Sequence, residues 1–389
     1  MNDSYLASRI QSELDELGRD AQLRTLAEIH GVNLCSNDYL ALSDDPRLKD
    51  AVVQAVANTR VISSTGSRLL SGQSVEWENI EKEFAAFAGT EAALCFSSGY
   101  AANMGLLTSV LKPSDIVFSD SLNHASLIDG IRLSGARKVI YPHGDLEALQ
   151  AALAQHSADA GARVIVSEST FSMDGDAPPI DRLIALAKEN GAELILDEAH
   201  ATGVCGPGGR GRAAEAGCEH ETLAIVHTCG KALASMGAFV CCSEAVKQYL
   251  VNRARTFVFS TAMAPYVAGQ IHAALELARA ADDRRERLRA IAAELRERLV
   301  GVGFETREGD SPIVPVIVGD NRAALFFAEF LQGRGFAARA IRPPTVPAGT
   351  SRIRVSLTAR ITRGDVLRLV DVFAEAREAL REAAFAAHG

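Results

Sequence analysis

Between about residue 92 and residue 242, short apolar runs punctuate the chain: Ala92–Phe96, Ile116–Phe118, Lys138–Tyr141, Val164–Val166, Leu194–Leu196, Ala224–Val226 and Ala238–Val240. Helix-like segments alternate with them. Runs this short, without polar alternation, suit strands buried on both faces, and helical crossovers let successive strands run parallel. The rhythm therefore predicts an α/β fold with a mostly parallel sheet covered by helices. After Tyr266 a stretch rich in Ala, Leu, Arg and Glu, running to about Val300, reads as a connecting helix or helix pair whose charges form a solvated face. Beyond Gly303 the pattern becomes strand (Ile313 to Val318), helix (Asn321 to Leu331), strand (Phe336 to Ile341), strand (Ile353 to Leu357) and a last helix. Val366, Leu369, Val370, Phe373, Ala376 and Leu380 share one face of that helix, which borders Arg377, read as solvated. The expected organisation is an N-terminal helical segment (1–44), a large domain (45–285) and a smaller α+β domain (286–389).

Composition narrows the function. A net charge of −9 disfavours nucleic acid and anionic membranes as partners, because counterion release rewards basic surfaces. It leaves an anionic metabolite open, since one phosphate needs only a local set of donors. No apolar run approaches the ~20 residues of a membrane helix, and Met1–Tyr5 lacks the cationic start and apolar middle of a secretory signal. The seven cysteines include no Cys-x-x-Cys pair. They read as buried small hydrophobes in a reducing cytoplasm rather than as a metal site or a disulfide framework.

Lys231 follows the Ala224–Val226 run in a stretch of small neighbours, Cys229-Gly230-Lys231-Ala232, and Asp197 ends the Leu194–Leu196 run. The carboxyl ends of parallel strands line the ligand crevice of an open sheet, so a lysine and an aspartate there can hold one ring from opposite sides. The pairing suggests pyridoxal phosphate: the lysine forms an imine, and the aspartate accepts the proton of the pyridine nitrogen and makes the ring an electron sink. Asp197-Glu198-Ala199-His200 is also spelled like a helicase box. A nucleotide-driven motor needs Gly-x-x-x-x-Gly-Lys-Ser/Thr, and Gly230-Lys231 is followed by Ala.

The remaining candidates carry less by themselves. Ser97-Ser98-Gly99-Tyr100 joins a strand to a helical segment, and free backbone N–H groups there suit an anion. His124, after the Ile116–Phe118 run, is placed either to stack on a cofactor face or to be satisfied by backbone groups, and pattern does not choose between them. Ser172 follows another run and is placed to bond a phenolic oxygen or simply to stabilise a turn. Arg342-Pro343-Pro344-Thr345-Val346-Pro347 reads as a rigid wall. Arg352 and Arg354 share one face of a strand. Arg354 is a candidate carboxylate fork, against a default of a solvated edge strand.

Several ordered stretches together resemble the α-oxoamine synthases, a family of fold-type I, class II pyridoxal-phosphate enzymes. They are Cys35-Ser36-Asn37-Asp38-Tyr39-Leu40, Ser98-Gly99-Tyr100-Ala101-Ala102-Asn103, Asn123-His124-Ala125-Ser126, Phe171-Ser172-Met173-Asp174-Gly175-Asp176, Asp197-Glu198-Ala199-His200, Thr228-Cys229-Gly230-Lys231-Ala232 and Arg342 to Thr350. The resemblance covers nearly the whole chain. It implies that Lys231 binds the cofactor covalently, Asp197 pairs with the ring nitrogen, His124 stacks on the ring, and Ser172 and His200 contact its phenolic oxygen. Gly99, Tyr100 and Thr228 would hold the phosphate, with Ser260 or Thr261 reaching the partner's phosphate across a homodimer. Asn37 and Arg354 would take the amino-acid carboxylate, and Arg24 and Thr345 would face the acyl substrate.

The implied reaction joins L-alanine to a pimeloyl thioester, on coenzyme A or acyl carrier protein, giving 8-amino-7-oxononanoate, CO2 and free thiol in biotin biosynthesis. Family members that use glycine with succinyl or acetyl thioesters, or serine with palmitoyl thioester, supply the alternatives, and a non-catalytic homologue supplies another. The segment between Arg24 and Asn37 is shorter than the family's usual hairpin, and Ala234 stands where a glycine is often seen.

Overall fold

A computed structural model describes residues 4–386, so the expectation about Met1–Asp3 and the domain limits at 1 and 389 lie outside the described residues. The described residues form twelve strands: β1 Val32–Asn33, β2 Ala92–Phe96, β3 Ile116–Asp120, β4 Arg137–Tyr141, β5 Arg163–Glu168, β6 Glu193–Asp197, β7 Ala224–Thr228, β8 Ala238–Cys242, β9 Ile313–Gly319, β10 Phe336–Ala337, β11 Ala340–Ile341 and β12 Ser351–Ser356. The chain divides into two compact units. The larger comprises Asp38–Ser172 and Asp176–Glu286. The smaller takes the chain up to Asn37, Met173–Gly175 and the chain from Arg287 onward.

The larger unit is built on a seven-stranded sheet of order β2-β8-β7-β6-β5-β3-β4. Every strand runs parallel except β8, which is antiparallel to both β2 and β7. Every residue of β2, β3, β7 and β8 is buried, as expected of strands covered on both faces. β4 is one edge of the sheet, and it places Arg137 and Lys138 in solvent, which blunts further pairing. One core cluster packs Leu94, Val166, Ile195, Val226 and Val240 under the helix Gly99–Val110. The opposite cluster joins Phe118, Ile165, Leu196 and Ile225 to Leu183 and Ile184 of the helix Ile180–Glu189.

The stretch after Tyr266 is a helix pair, Tyr266–Arg279 and Asp282–Gly301. Its charges are not all solvated. Arg285 is only 2% exposed and donates to the carbonyls of Gly203 (3.1 Å) and Ala278 (2.6 Å). Arg296 is buried with its guanidinium on the carbonyls of Ser311 and Ile313. A guanidinium can enter the interior where carbonyl oxygens accept from its donors.

In the smaller unit β11, β12 and β9 form an antiparallel sheet with β12 in the centre, and β1 pairs in parallel with β10. The strand expected over Phe336 to Ile341 is two short strands separated by Ala338 and Arg339. Phe304, Phe327 and Phe373 meet at centroid separations of 5.5 to 6.1 Å. Arg377, expected in solvent, lies over the Phe304 ring at 4.9 Å and donates to the Val302 carbonyl. Its stem gives the ring a lid and its charge a cation–π contact.

Candidate active site

Because β2, β3, β5, β6 and β7 run parallel, their carboxyl ends share one edge of the large sheet. That edge is where ligands bind in open α/β folds. The candidate side chains leave it strand by strand. Gly99 and Tyr100 follow β2, His124 follows β3, Ser172 follows β5, Asp197 and His200 lie at and after β6, and Thr228 and Lys231 at and after β7.

Asp197 is 4% exposed. Its Oδ1 accepts the Ala199 N–H at 2.8 Å and its Oδ2 accepts the Asn103 side-chain N–H at 2.6 Å. Asn103 uses its other N–H on Ser126 Oγ at 2.9 Å, and that hydroxyl lies 2.8 Å from His124 Nδ1. Nδ1 also accepts the backbone N–H of Ser126 at 3.2 Å. A nitrogen that accepts carries no proton, so the neutral ring is protonated at Nε2. Burial, opposed by the charge of Asp197 and aided by that of Lys231, pushes the imidazole below its ordinary value. A backbone group thus satisfies one ring nitrogen of His124, and the charges of Asp197 and Lys231 act on the ring.

Lys231 sits half-buried in a tight turn in which Ser235 N–H reaches Cys229 O (2.8 Å) and Ala234 N–H reaches Lys231 O (2.9 Å). Ala234 adopts φ +44°. That left-handed backbone accounts for the glycine often found at this position, since a Cβ is disfavoured there. Thr228 Oγ1 lies 3.3 Å from the Ala199 carbonyl.

Ser98 caps the helix Gly99–Val110 by accepting the Ala101 N–H at 3.1 Å, so Gly99 and Tyr100 are the first helical residues, whose N–H groups have no intrahelical partner. A Cβ on Gly99 would stand 2.6 Å from Thr228 Cγ2. Glycine is what lets this helix start and Thr228 close together into one cradle. The Tyr100 hydroxyl donates to Asp129, and its ring meets His124 edge-on at 6.4 Å. His200 is buried with Nδ1 2.7 Å from the Tyr39 hydroxyl. Ser260 and Thr261 line a recess with Ser97, Arg68 and Trp77.

Glu168, the last residue of β5, escaped the sequence reading. It is fully buried, its Oε1 has no hydrogen-bond partner, and burial together with the charge of Asp197 raises its carboxyl well above the usual range. Asp197 and Lys231 are among the charges that act on it. Its signal in the sequence was the one that exposed Asp197, an acidic residue closing an apolar run. Asn103 and Ser126 lay inside quoted motifs without a role. The buried carboxylate, the glycine cradle and the partnerless Glu168 oxygen fit a flat, phosphate-bearing heteroaromatic cofactor.

Within the smaller unit β12 is central rather than a solvated edge, and Arg352 and Arg354 are 3% and 8% exposed. Arg352 pairs with Asp174. Arg354 directs Nη1 and Nη2 to Asn37 Oδ1, each at 3.1 Å, and Nη1 to Ser356 Oγ at 2.7 Å. Arg24 Nη2 reaches Thr345 Oγ1 at 3.2 Å, so the short segment before Asn37 still brings these two residues together. Arg342 anchors the proline-rich wall to the carbonyls of Ala21 and Leu23.

Comparison with known proteins agrees with this geometry. The family described as "Aminotransferase class I and II" matches residues 29–373. The chain is 44% identical to the 8-amino-7-oxononanoate synthase of Geobacter sulfurreducens over 381 residues, covering 95% of this chain and 97% of that one. Among solved structures, Sphingomonas wittichii serine palmitoyltransferase superposes with a TM-score of 0.88 at 28% identity, covering 97% of this chain and 98% of that one. The 8-amino-7-oxononanoate synthase of Francisella tularensis superposes with a TM-score of 0.78 at 28% identity, covering 90% and 99%. The chain thus belongs to the class I and II aminotransferase family, on the fold-type I scaffold and in the α-oxoamine synthase group that its motifs resemble.

Proposed function

We propose that this chain is a pyridoxal-phosphate-dependent acyltransferase that condenses L-alanine with a pimeloyl thioester, releasing CO2 and free thiol, in biotin biosynthesis. The observation that carries this reading is the set of side chains at the carboxyl edge of the large sheet, with Lys231, Asp197 and His124 together, in a chain 44% identical to an 8-amino-7-oxononanoate synthase. When bound, the cofactor supplies an electron sink for negative charge at the amino-acid Cα. Lys231 would hold it through Nζ, and its amine, when free, would serve as the base for the amino-acid Cα proton. Asp197 would hold the proton on the ring nitrogen, and His124, as its Nε2–H tautomer, would cover the ring face. Ser172 and His200 bind the phenolic oxygen. Gly99, Tyr100 and Thr228 bind the phosphate.

Arg354, steered by Asn37, binds the alanine carboxylate as a fork, and Arg24 with Thr345 binds the far end of the acyl chain. The Cα carbon forms a bond to the thioester carbonyl, the thiol leaves, and the resulting β-keto acid loses CO2. The protein acts as a homodimer in the cytoplasm, with Ser260 and Thr261 reaching the partner's phosphate. The exposed apolar side chains Ile62, Leu69, Leu70 and Phe259 of the larger unit support the dimer. Coenzyme A and acyl carrier protein are both thioester carriers within this reading.

A second reading, serine with a long-chain acyl thioester, is favoured by the serine palmitoyltransferase superposition. Thiol release assayed with each pairing of alanine, glycine or serine with pimeloyl-, acetyl- or palmitoyl-coenzyme A separates them. Alanine with pimeloyl-coenzyme A is expected to be fastest and to yield one CO2 per thiol. Preference for serine with palmitoyl-coenzyme A would overturn the assignment.

A further inference from the structure

His143, just past β4, stands outside every motif that first marked this chain. Its Nδ1 lies 2.9 Å from Asp120 Oδ1 and its Nε2 lies 2.7 Å from Asp176 Oδ2. Ionised carboxylates only accept hydrogen bonds, so both ring nitrogens must carry protons and the ring is a cation held at two points. Burial alone would drive the imidazole down, but the hydrogen bonds and charges of Asp120 and Asp176 outweigh it and lift it to about 10. The other groups facing this cluster are Tyr141, whose phenol burial and Asp120 push up, and the Phe171 ring, edge-on to His143 at 4.4 Å.

Each carboxylate belongs to a different loop. Asp120 ends β3 and organises the turn beyond it, accepting the N–H of Leu122 at 2.8 Å through Oδ1 and that of Gly144 at 3.0 Å through Oδ2. His124 lies two residues past Leu122. Asp176 accepts the Phe171 N–H on its backbone oxygen at 2.9 Å, next to Ser172. Asp120 is already satisfied by backbone donors, so the Nε2 contact to Asp176 is the one that only His143 supplies.

We propose that His143 is a positioning residue: by donating one ring N–H to Asp120 and the other to Asp176, it braces together the two loops that present His124 and Ser172 to the cofactor. Imidazolium suits this task because it is rigid and carries donors on opposite sides. Lysine offers a point charge on a flexible stem, and an amide offers donors on one side only. The inference rests on the proposed cofactor contacts of Ser172 and His124.

The test uses the full chain and three readouts: the dissociation constant of pyridoxal phosphate, the absorption spectrum of the bound cofactor, and the melting temperature with and without it. His143→Asn keeps a donor near Asp120 and loses the one to Asp176. Asp176→Ala removes the same contact from the other side, and carries the test if the first variant does not fold. Each is expected to weaken cofactor binding about tenfold, the lower end of the cost of losing outer partners at metal sites. Each should also shift the bound-cofactor absorption band, because the hydroxyl at the phenolic oxygen is no longer fixed. The double variant should be no worse than either single one.

Wild-type affinity and an unmoved band in the variants would overturn the brace, as would equal losses of melting temperature with and without cofactor. Failure of the substrate assignment looks different: wild-type protein would bind cofactor normally and release no thiol from alanine and pimeloyl-coenzyme A.

Discussion

Asn103 donates to Asp197 Oδ2 over 2.6 Å through the same amide nitrogen that donates to Ser126 Oγ. One side chain thus orients the carboxylate proposed to hold the ring nitrogen's proton and, through Ser126, the tautomer of His124. Asn103→Leu keeps the volume and removes both donors. A hydrogen bond to a charged group contributes about 1.5–3 kcal/mol, so turnover is expected to fall roughly 10- to 100-fold with the fold intact. Unchanged turnover would refute the coupling.

Lys231→Ala tests the centre of the proposal. The variant should fold, because the turn around Lys231 is held by backbone bonds from Ser235 to Cys229 and from Ala234 to Lys231 that need no side chain. Product formation should drop by about three orders of magnitude or more, since covalent attachment and proton removal are lost together. Near-normal turnover would sink the assignment.

Arg354→Lys tests the carboxylate fork. Both terminal nitrogens of Arg354 meet Asn37 Oδ1, and the rigid fork, unlike an ammonium, presents parallel donors. The KM for alanine is expected to rise about tenfold, equivalent to roughly 1.4 kcal/mol, with a smaller change in kcat. A fall in kcat at constant KM would assign Arg354 elsewhere.

What the sequence disclosed and what it hid have separate physical causes. β2, β3, β7 and β8 were legible because each carries an apolar run where both sheet faces are buried, and Asp197 and Lys231 because a charge at or soon after such a run stands out. Asn103 was hidden: a polar residue inside a helical stretch looks solvated until Asp197 is folded against it. Arg285 and Arg352 were misread for a related reason. Their partners, the Gly203 carbonyl and Asp174, lie far along the chain, and local patterning treats an unpaired arginine as a surface group. β1, two residues long, carries no periodicity, and its pairing with β10 is set by tertiary packing.

Gly211→Ala probes the acidic box away from the chemistry. Gly211 has φ +105°, and an added Cβ would fall 1.5 Å from Glu198 Oε2. Glu198 is buried with its carboxyl raised to about 7, and its Oε1 accepts the Ala213 N–H at 2.7 Å, so it has little freedom to retreat. Backbone strain and overpacking together should cost about 2–4 kcal/mol, read as a lower urea midpoint at unchanged slope. A midpoint within error of wild type would show that the loop yields easily.

The pH dependence of stability should carry the mark of His227. The ring is 1% exposed, its Nδ1 lies 2.9 Å from Thr202 Oγ1, Phe84 and Phe87 pack beside it, and its Nε2 has no partner. Burial, with the Arg210 charge adding to it, lowers the imidazole to about 3. The unfolded chain, with an ordinary value near 6.5, therefore binds a proton that the folded chain refuses. Stability from this group is complete above pH 6.5 and is lost at about 1.4 kcal/mol per unit as the pH falls from there toward 3. His227→Phe removes the titration. Its urea midpoint at pH 7 reflects repacking alone, but the decline from pH 6.5 to 4.5 should be shallower than in the wild type by nearly that slope. Parallel declines in the two proteins would mean that His227 is protonated in the folded state and that the interior around Phe84 admits water.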